Sequence, residues 1–186
     1  WEADEMVYIL LAEGFEESEA LVPADLMRRA GLEVRLVGLD ALQVTGGHGI
    51  TVTADVTLDQ VDTDQMQLLM LPGGLGGVES ILMNLFALGL IQRAWDQGCY
   101  LAAICAAPTI LAHLGIVDRR KAVCYPGMEE EMGSAVIQTG CPVVVDGRII
   151  TGEAAGSAFD FGLKLVEILS GAEAVRKVRD AVHYRH

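Results

Sequence analysis

Cys105 is the side chain of this sequence best placed to act as a nucleophile. It follows a short, continuous apolar run, Tyr100 to Ile104, which is typical of a fully buried strand. The residues after it, Ala-Ala-Pro-Thr-Ile-Leu-Ala, favour a helix, because proline is tolerated in a first turn whose amides are unpaired. Cys105 is therefore predicted at a strand-to-helix turn, where free amides and the helix dipole favour a thiolate with a pKa below the ordinary ~8.5. The alternative is a buried cysteine that packs as a small hydrophobic side chain.

Two glycines could supply backbone donors next to this sulfur. Gly73 and Gly74 follow proline at the end of a buried apolar run. Without a side chain, the Gly74 amide could approach a reacting oxyanion together with the amide of Ala106. The alternative is an ordinary Pro-Gly-Gly turn.

An acidic turn supplies three candidate proton carriers, Glu16, Glu17 and Glu19. Acids are favoured at a helix start in any case, which suffices to explain at least two of them. A carboxylate beside Cys105 would be poorly solvated and would face a thiolate, so its pKa would rise and it could hold a proton near neutrality. The residue types alone do not decide which of the three this is.

A histidine base for Cys105 is harder to find. His48 lies in a glycine-rich turn and is a candidate to reach a site of its own or of another subunit; the alternative is a plain turn residue. Tyr125 could donate a hydrogen bond, but a phenol with a pKa near 10 is no base at neutral pH.

Alternating strands and helices predict how these groups are positioned. We expect a single α/β domain, residues 1–186, built as a three-layer sandwich with a mostly parallel sheet and helices on both faces. The predicted strands are Met6–Ala12, Leu32–Leu39, Ile50–Ala54, Met66–Leu71, Tyr100–Ile104 and a hairpin within Val143–Ile150. Five helices are predicted: one that ends near Ala30, one over Glu79–Gln97, one that follows Cys105 and ends near Leu114, one over Ala155–Leu169 and one over Ala172–Val182. In the fourth, Phe159, Leu163 and Val166 lie on one apolar stripe. In such sheets ligands bind beyond the carboxyl ends of the strands, where the three candidate segments fall.

Composition argues against two kinds of partner. A net charge of −13 does not suit nucleic acid, and no run of eighteen apolar residues predicts a membrane span. The four cysteines, Cys99, Cys105, Cys124 and Cys141, form no disulfide framework, so a cytoplasmic protein is expected. Residues 1–5 lack an initiating Met and are expected to be an artificial or disordered start.

Several motifs together resemble the ThiJ/PfpI family in its DJ-1-like branch, which includes glyoxalases, deglycases and a Parkinsonism-associated protein. The motifs are Glu-Gly-Phe-Glu-Glu-Ser-Glu-Ala from residue 13, Pro-Ala-Asp-Leu-Met-Arg-Arg-Ala-Gly from residue 23, Leu-Pro-Gly-Gly from residue 71, and Ala-Ala-Ile-Cys-Ala-Ala-Pro from residue 102. They run in register from about residue 6 to residue 171. The resemblance implies a flavodoxin-like homodimer with a nucleophile-elbow cysteine.

The resemblance also assigns residues. The reactive cysteine falls on Cys105 and its protonated glutamate on Glu19. The backbone donors fall on Gly73, Gly74 and Ala106, and an arginine that some members contribute from the partner subunit falls on His48. The frequent histidine before proline is Tyr125 here, so the Cys-His pair of a peptidase is missing.

The expected activity is that of a cofactor-free glyoxalase or deglycase. Cys105 would attack the aldehyde of methylglyoxal, or of its early adducts on amino groups, and Glu19 would move protons between adjacent carbons. No metal is expected. The alternative is a redox-sensing or chaperone-like stress protein in which Cys105 oxidises to a sulfinate. An intracellular amidase or peptidase ranks last, because no base is evident.

Overall fold

Eleven strands are present in the part of the chain that the computed structural model describes, residues 5–185. They are β1 (Met6–Leu11), β2 (Glu33–Gly38), β3 (Gln43–Thr45), β4 (Thr51–Thr53), β5 (Val56–Thr57), β6 (Met66–Leu71), β7 (Tyr100–Ile104), β8 (Lys121–Ala122), β9 (Val136–Ile137), β10 (Val143–Asp146) and β11 (Ile149–Gly152). Seven form one sheet in the order β10-β11-β7-β6-β1-β2-β5, and all neighbours except β10 and β11 are parallel. The predicted start, residues 1–5, lies outside this range except for Glu5, which is exposed.

Six α-helices lie on the two faces of this sheet. They are α1 (Glu17–Arg29), α2 (Leu75–Leu82), α3 (Leu85–Asp96), α4 (Pro108–His113), α5 (Ala158–Ser170) and α6 (Ala172–Ala181). Buried residues of α2, α3 and α4 join one core cluster, and those of α1, α5 and α6 join the other. The α/β sandwich with helices on both faces is thereby confirmed.

The central strand β1 shows why a continuous apolar run indicates a strand that is buried on both faces. Successive strand side chains point to opposite faces, so Val7, Ile9 and Leu11 enter the α1–α5–α6 core. Tyr8 and Leu10 enter the other core. All six residues of β1 are buried because helices cover both faces.

The strand order brings the candidate segments to one edge. From β1 the chain first adds β2 on one side, and later places β6 and β7 on the other. The carboxyl ends of β1, β6 and β7 therefore lie side by side at the point where the order reverses, which is where open α/β sheets bind ligands.

The helix predicted over Glu79–Gln97 is wrong in its extent. The structure has α2 and α3 there, bent by 86°. Asn84 lies between them in an extended conformation, and its side chain accepts a hydrogen bond from the amide of Ala87 at 3.0 Å. Asparagine is a strong N-cap, so it starts a new helix where the apolar pattern alone runs on.

Phe159 does not belong to the buried stripe of α5. Leu163 and Val166 are buried as predicted, but the buried aromatic residue of α5 is Phe161, and Leu165 is buried as well. Phe159 is 44% exposed and stacks on Tyr184, with ring centroids 6.2 Å apart. Phe159 is only the second residue of α5, which begins at Ala158, and the buried face of the helix is formed by residues from Phe161 to Val166.

The strand predicted at Ile50–Ala54 is the shorter β4, and it pairs antiparallel with β3 in a separate two-stranded hairpin. No single helix within residues 5–185 is long and apolar enough to cross a membrane. Only the bent pair α2 and α3 passes that test of length and composition when joined. All four cysteines carry free thiols.

Candidate active site

Cys105 occupies a strained turn between β7 and α4. Its φ angle is +66°, a left-handed conformation that non-glycine residues rarely adopt. The Cys105 amide donates to the carbonyl oxygen of Gly152 at 3.0 Å, and the Ala107 amide donates to that of Ile104 at 3.1 Å. The side chain is partly exposed. Such strain costs about 1–3 kcal/mol and persists where the surroundings enforce it, as in a nucleophile elbow.

Gly73 lies directly between the two candidate side chains. A Cβ atom at this position would lie 2.7 Å from Oε1 of Glu19 and 2.8 Å from Cβ of Cys105. Its neighbour Gly74 has a φ of +91°, and a Cβ there would lie 2.4 Å from the carbonyl oxygen of Gly14. Glycine at position 73 is thus required for the close approach of Glu19 and Cys105, and glycine at position 74 for that of the turn after β1.

Glu19 is the carboxyl group that the fold places beside Cys105. Its side chain is fully buried, and neither oxygen accepts a hydrogen bond of ordinary geometry from the described residues. Burial raises the pKa of Glu19 to about 8, and the charge of Glu16 adds to the effect. The Cys105 thiol and the Gly73 amide oppose it. Glu19 therefore holds a proton at neutral pH.

The other two glutamates of the acidic turn have different surroundings. Glu17 is buried and accepts hydrogen bonds from the His48 amide at 2.8 Å, from His48 Nδ1 at 3.0 Å and from the Ile50 amide at 3.4 Å. Burial alone would raise the pKa of Glu17, but these hydrogen bonds lower it to about 2. Glu16 is about a quarter exposed, and it accepts a hydrogen bond from Ser18 Oγ at 3.3 Å.

The thiol of Cys105 does not have the lowered pKa expected from the sequence. Burial, followed by the charge of Glu19 and the hydrogen bond with it, raises the pKa of Cys105 to about 12. The amides of Ala106 and Gly74 act in the opposite direction, so both face the sulfur. The strand-to-helix turn supplies the predicted donors, but desolvation and the neighbouring acid outweigh them.

His48 and Tyr125 lie around this centre in different ways. The imidazole of His48 is 68% exposed and is held by Glu17, with Glu16 Oε1 at 3.6 Å. Its pKa is raised, first by the hydrogen bond to Glu17 and then by the two carboxylate charges. The Tyr125 amide donates to the carbonyl oxygen of Cys105 at 2.8 Å, but its side chain is 48% exposed.

Two positioning residues were missed from the sequence. Gly152 accepts the hydrogen bond of the Cys105 amide. Thr151 is fully buried, and its Oγ1 accepts from the Val123 amide at 2.9 Å, which fixes the segment that leads to Tyr125. A threonine and a glycine that close the apolar run Ile149–Gly152 were the available signals.

One group of side chains within residues 5–185 has metal-ligand chemistry. Glu16, Glu17 and His48 each offer one ligand atom, and these atoms lie within 4.8 Å of one another. The Glu17 and His48 atoms already bind each other, so the group holds the β3–β4 turn in place without an ion.

The fold and the site define an α/β protein with a cysteine at a nucleophile elbow and a buried glutamic acid against it. A sequence profile of the DJ-1/PfpI family matches residues 5–168, and the chain belongs to that family. Protein dj-1beta of Drosophila melanogaster is 36% identical over 172 residues, which is 91% of this chain and 92% of the relative. A deglycase of Pyrococcus horikoshii is 30% identical over 164 residues, or 88% and 98% of the two chains.

Solved structures agree closely with this fold. The crystal structure of Drosophila melanogaster DJ-1beta superposes with a TM-score of 0.92 at 34% identity, over 98% of this chain and all of the other. A structure described as Toxoplasma gondii DJ-1, oxidized, has a TM-score of 0.91 at 31% identity and covers 97% and 99% of the two chains.

Proposed function

We propose that this protein is a glyoxalase or deglycase that needs no cofactor and acts on methylglyoxal or on its early adducts with amino groups. The observation that carries the proposal is Glu19, a fully buried acid without a hydrogen-bond partner of ordinary geometry in residues 5–185, placed against the elbow cysteine. A carboxyl group with a pKa of about 8 is well matched to proton transfer near neutral pH. The naming of an archaeal relative as a deglycase supports the same reaction class.

The first step is addition of the Cys105 sulfur to the aldehyde carbon. The ionised form of Glu19 takes the thiol proton as the carbon–sulfur bond forms, because the raised pKa of Cys105 leaves few free thiolates at neutral pH. The aldehyde oxygen gains the negative charge, and the amides of Gly74 and Ala106, which face the sulfur, would donate hydrogen bonds to it. Glu19 then returns its proton to that oxygen, which gives a neutral hemithioacetal.

The second stage moves a hydrogen between adjacent carbons. Glu19 removes the proton from the carbon that bears sulfur, and the electron pair passes to the neighbouring ketone, which gives an enediolate. Glu19 returns this proton to the former ketone carbon, while the hydroxyl proton of the sulfur-bearing carbon passes to the neighbouring alkoxide, and a lactoyl thioester on Cys105 results. Water then cleaves the thioester, so that methylglyoxal and one water give one lactate and one proton, and the thiol of Cys105 is regenerated.

Lactate release from methylglyoxal tests the proposal. Cys105→Ser and Glu19→Gln should each lower kcat/KM at least about a hundredfold, the range expected when a nucleophile or a general base is removed. Cys141→Ser is the matched control, because Cys141 is also partly exposed and carries a free thiol. Equal rates in the wild type and Cys105→Ser would dismiss this function.

A second candidate is a sensor that uses oxidation of Cys105. The relative solved in an oxidised form favours it, as does the partial exposure of Cys105, which Cys141 shares and the buried Cys99 and Cys124 lack. Mass spectrometry after mild peroxide should find two added oxygens on Cys105 first. Earlier oxidation of Cys99, Cys124 or Cys141 would remove the basis of this reading.

A peptidase or amidase is the weakest of the three functions. The histidine that many family members have before proline is Tyr125 here, and His48 is engaged by Glu17. We also propose that the chain forms a homodimer, as the resemblance implies. Sedimentation equilibrium at micromolar concentration should give twice the 19.9 kDa of one chain, and the mass of a single chain would refute it.

A further inference from the structure

The segments around Cys105 carry an unusual balance of charge. They contain eight glutamates and neither lysine nor arginine, counted over residues 13–19, 72–77, 105–108, 122–133 and 152–158. The first and second of these flank the sulfur, and Tyr125 and Gly152 of the last two bind the Cys105 backbone. Glu19 holds a proton at neutral pH, but the other acids of these segments face no lysine or arginine among them, so a substrate that reaches the sulfur approaches through a negative potential.

Glu16 is the acid of this group that is both near the reacting atoms and open to solvent. Its amide donates to the Gly73 carbonyl oxygen at 2.9 Å, which ties it to the glycine between Glu19 and Cys105. Its charge is felt at Glu19, whose pKa it raises. Its side chain is about a quarter exposed, unlike that of the buried Glu17.

His48 is the nearby group that could cancel this charge. Its Nδ1 lies 3.0 Å from Glu17 and 3.6 Å from Glu16, so a protonated imidazole offsets one of the two carboxylates. Among residues 5–185, one negative charge then remains at the mouth. The buried Glu19 has no hydrogen bond of ordinary geometry within the same residues, so the inner end of the site offers a carboxyl group to which a ligand can hydrogen-bond.

We propose that the carboxylate of Glu16 makes this site selective for α-oxoaldehydes whose remote end is positively charged, an inference that rests on the proposed function. The aldehyde reaches Cys105 while the cationic end stays at the mouth near Glu16. An anionic end is repelled by Glu16 and by the surrounding glutamates, while a neutral end is neither attracted nor repelled.

Three probes with the same reacting group test this selectivity. They are phenylglyoxal, its para-trimethylammonio derivative and its para-carboxylate derivative, each converted to the corresponding mandelate. The readout is the ratio of kcat/KM for the cationic probe to that for the anionic probe. The intrinsic reactivities of the probes cancel when this ratio is compared between protein variants.

Glu16→Gln should lower the ratio about fivefold or more at low ionic strength. Glu33→Gln is the matched control, because it removes one exposed charge at the amino end of β2, on the opposite edge of the sheet. It should change the ratio less than about twofold, since distant exposed charges are screened. In the wild type, raising the ionic strength from about 0.01 to about 0.15 M should lower the ratio as well.

The outcomes separate the inference from the function on which it rests. Absence of mandelate from all three probes would overturn the proposed function. Turnover of phenylglyoxal with the same ratio in the wild type and Glu16→Gln would overturn the selectivity alone. An equal fall in Glu16→Gln and Glu33→Gln would show that net charge, and not Glu16, sets the ratio, which would also overturn the inference.

Discussion

Replacing Glu19 with glutamine should change how the stability of the protein depends on pH. The carboxyl group has a pKa of 4.5 in an unstructured chain and about 8 in the fold. Between these values the folded state holds a proton that the unfolded state has released. The free energy of unfolding therefore falls as pH rises through this window, and the full stabilisation is present only below the unfolded pKa.

The magnitude follows from the size of the pKa shift. Each pKa unit corresponds to about 1.4 kcal/mol, so a rise from 4.5 to about 8 corresponds to a loss of about 5 kcal/mol between the two limits. Glutamine has nearly the same shape and no proton to lose. Glu19→Gln should therefore gain stability relative to the wild type as pH rises, by an amount that approaches this value above about pH 8.

Urea unfolding followed by tryptophan fluorescence measures this difference. Titrations at about pH 5, 7 and 8.5 give the free energy of unfolding of each protein from the midpoint and slope. The contribution of Glu17, whose pKa is lowered, is the same in both proteins and cancels. Glu33→Gln, at an exposed position, should show a constant difference from the wild type. A constant difference for Glu19→Gln as well would refute the assignment of a retained proton to Glu19.

Three further predictions concern the packing of Gly73, the reactivity of Cys105 and the contact between α1 and α5. Gly73→Ala should abolish lactate release, because its Cβ would collide with Glu19 and Cys105. Glu19→Gln should speed alkylation of Cys105 by iodoacetamide at about pH 8, because removing the carboxylate charge lowers the thiol pKa. Gly162→Ala should cost about 1–3 kcal/mol in urea unfolding, because its Cβ would lie 2.8 Å from Leu26 Cδ1 and 3.0 Å from Pro23 Cα, where α1 and α5 pack closely.

Each of these has a control or a contrary outcome. Gly89→Ala is the control for both glycine variants, because a Cβ there meets nothing within 4 Å and alanine favours the helix. Unchanged lactate release by Gly73→Ala would contradict the close approach of the two side chains. Slower alkylation in Glu19→Gln would mean that the carboxyl group assists the thiolate, and a gain of stability in Gly162→Ala would mean that the helices can separate.

Local patterns were sufficient for most of the fold. The apolar runs of β1, β6 and β7 mark buried strands because both faces of the sheet are covered, and a single-residue signal, proline after Cys105, marks the start of α4. The break at Asn84 and the exposure of Phe159 were not predicted. The break follows from the N-cap preference of Asn84, which the apolar pattern alone does not reveal, whereas the exposure of Phe159 depends on how α5 packs in the fold.

Some features of the site follow from the sequence, and others depend on the tertiary structure. The sequence by itself determined that Cys105 follows a buried strand and precedes a helix, and that Gly73 and Gly74 form a turn without side chains, because these are properties of neighbouring residues along the chain. Residue types left Glu16, Glu17 and Glu19 as alternatives, and the family resemblance pointed to Glu19. The physical difference between them comes from the tertiary structure, because pKa depends on burial and on partners from distant segments: Cys105 and Gly73 surround Glu19, whereas the β3–β4 turn supplies the hydrogen bonds of Glu17. The raised pKa of Cys105 arises from that same enclosure, which no stretch of sequence contains.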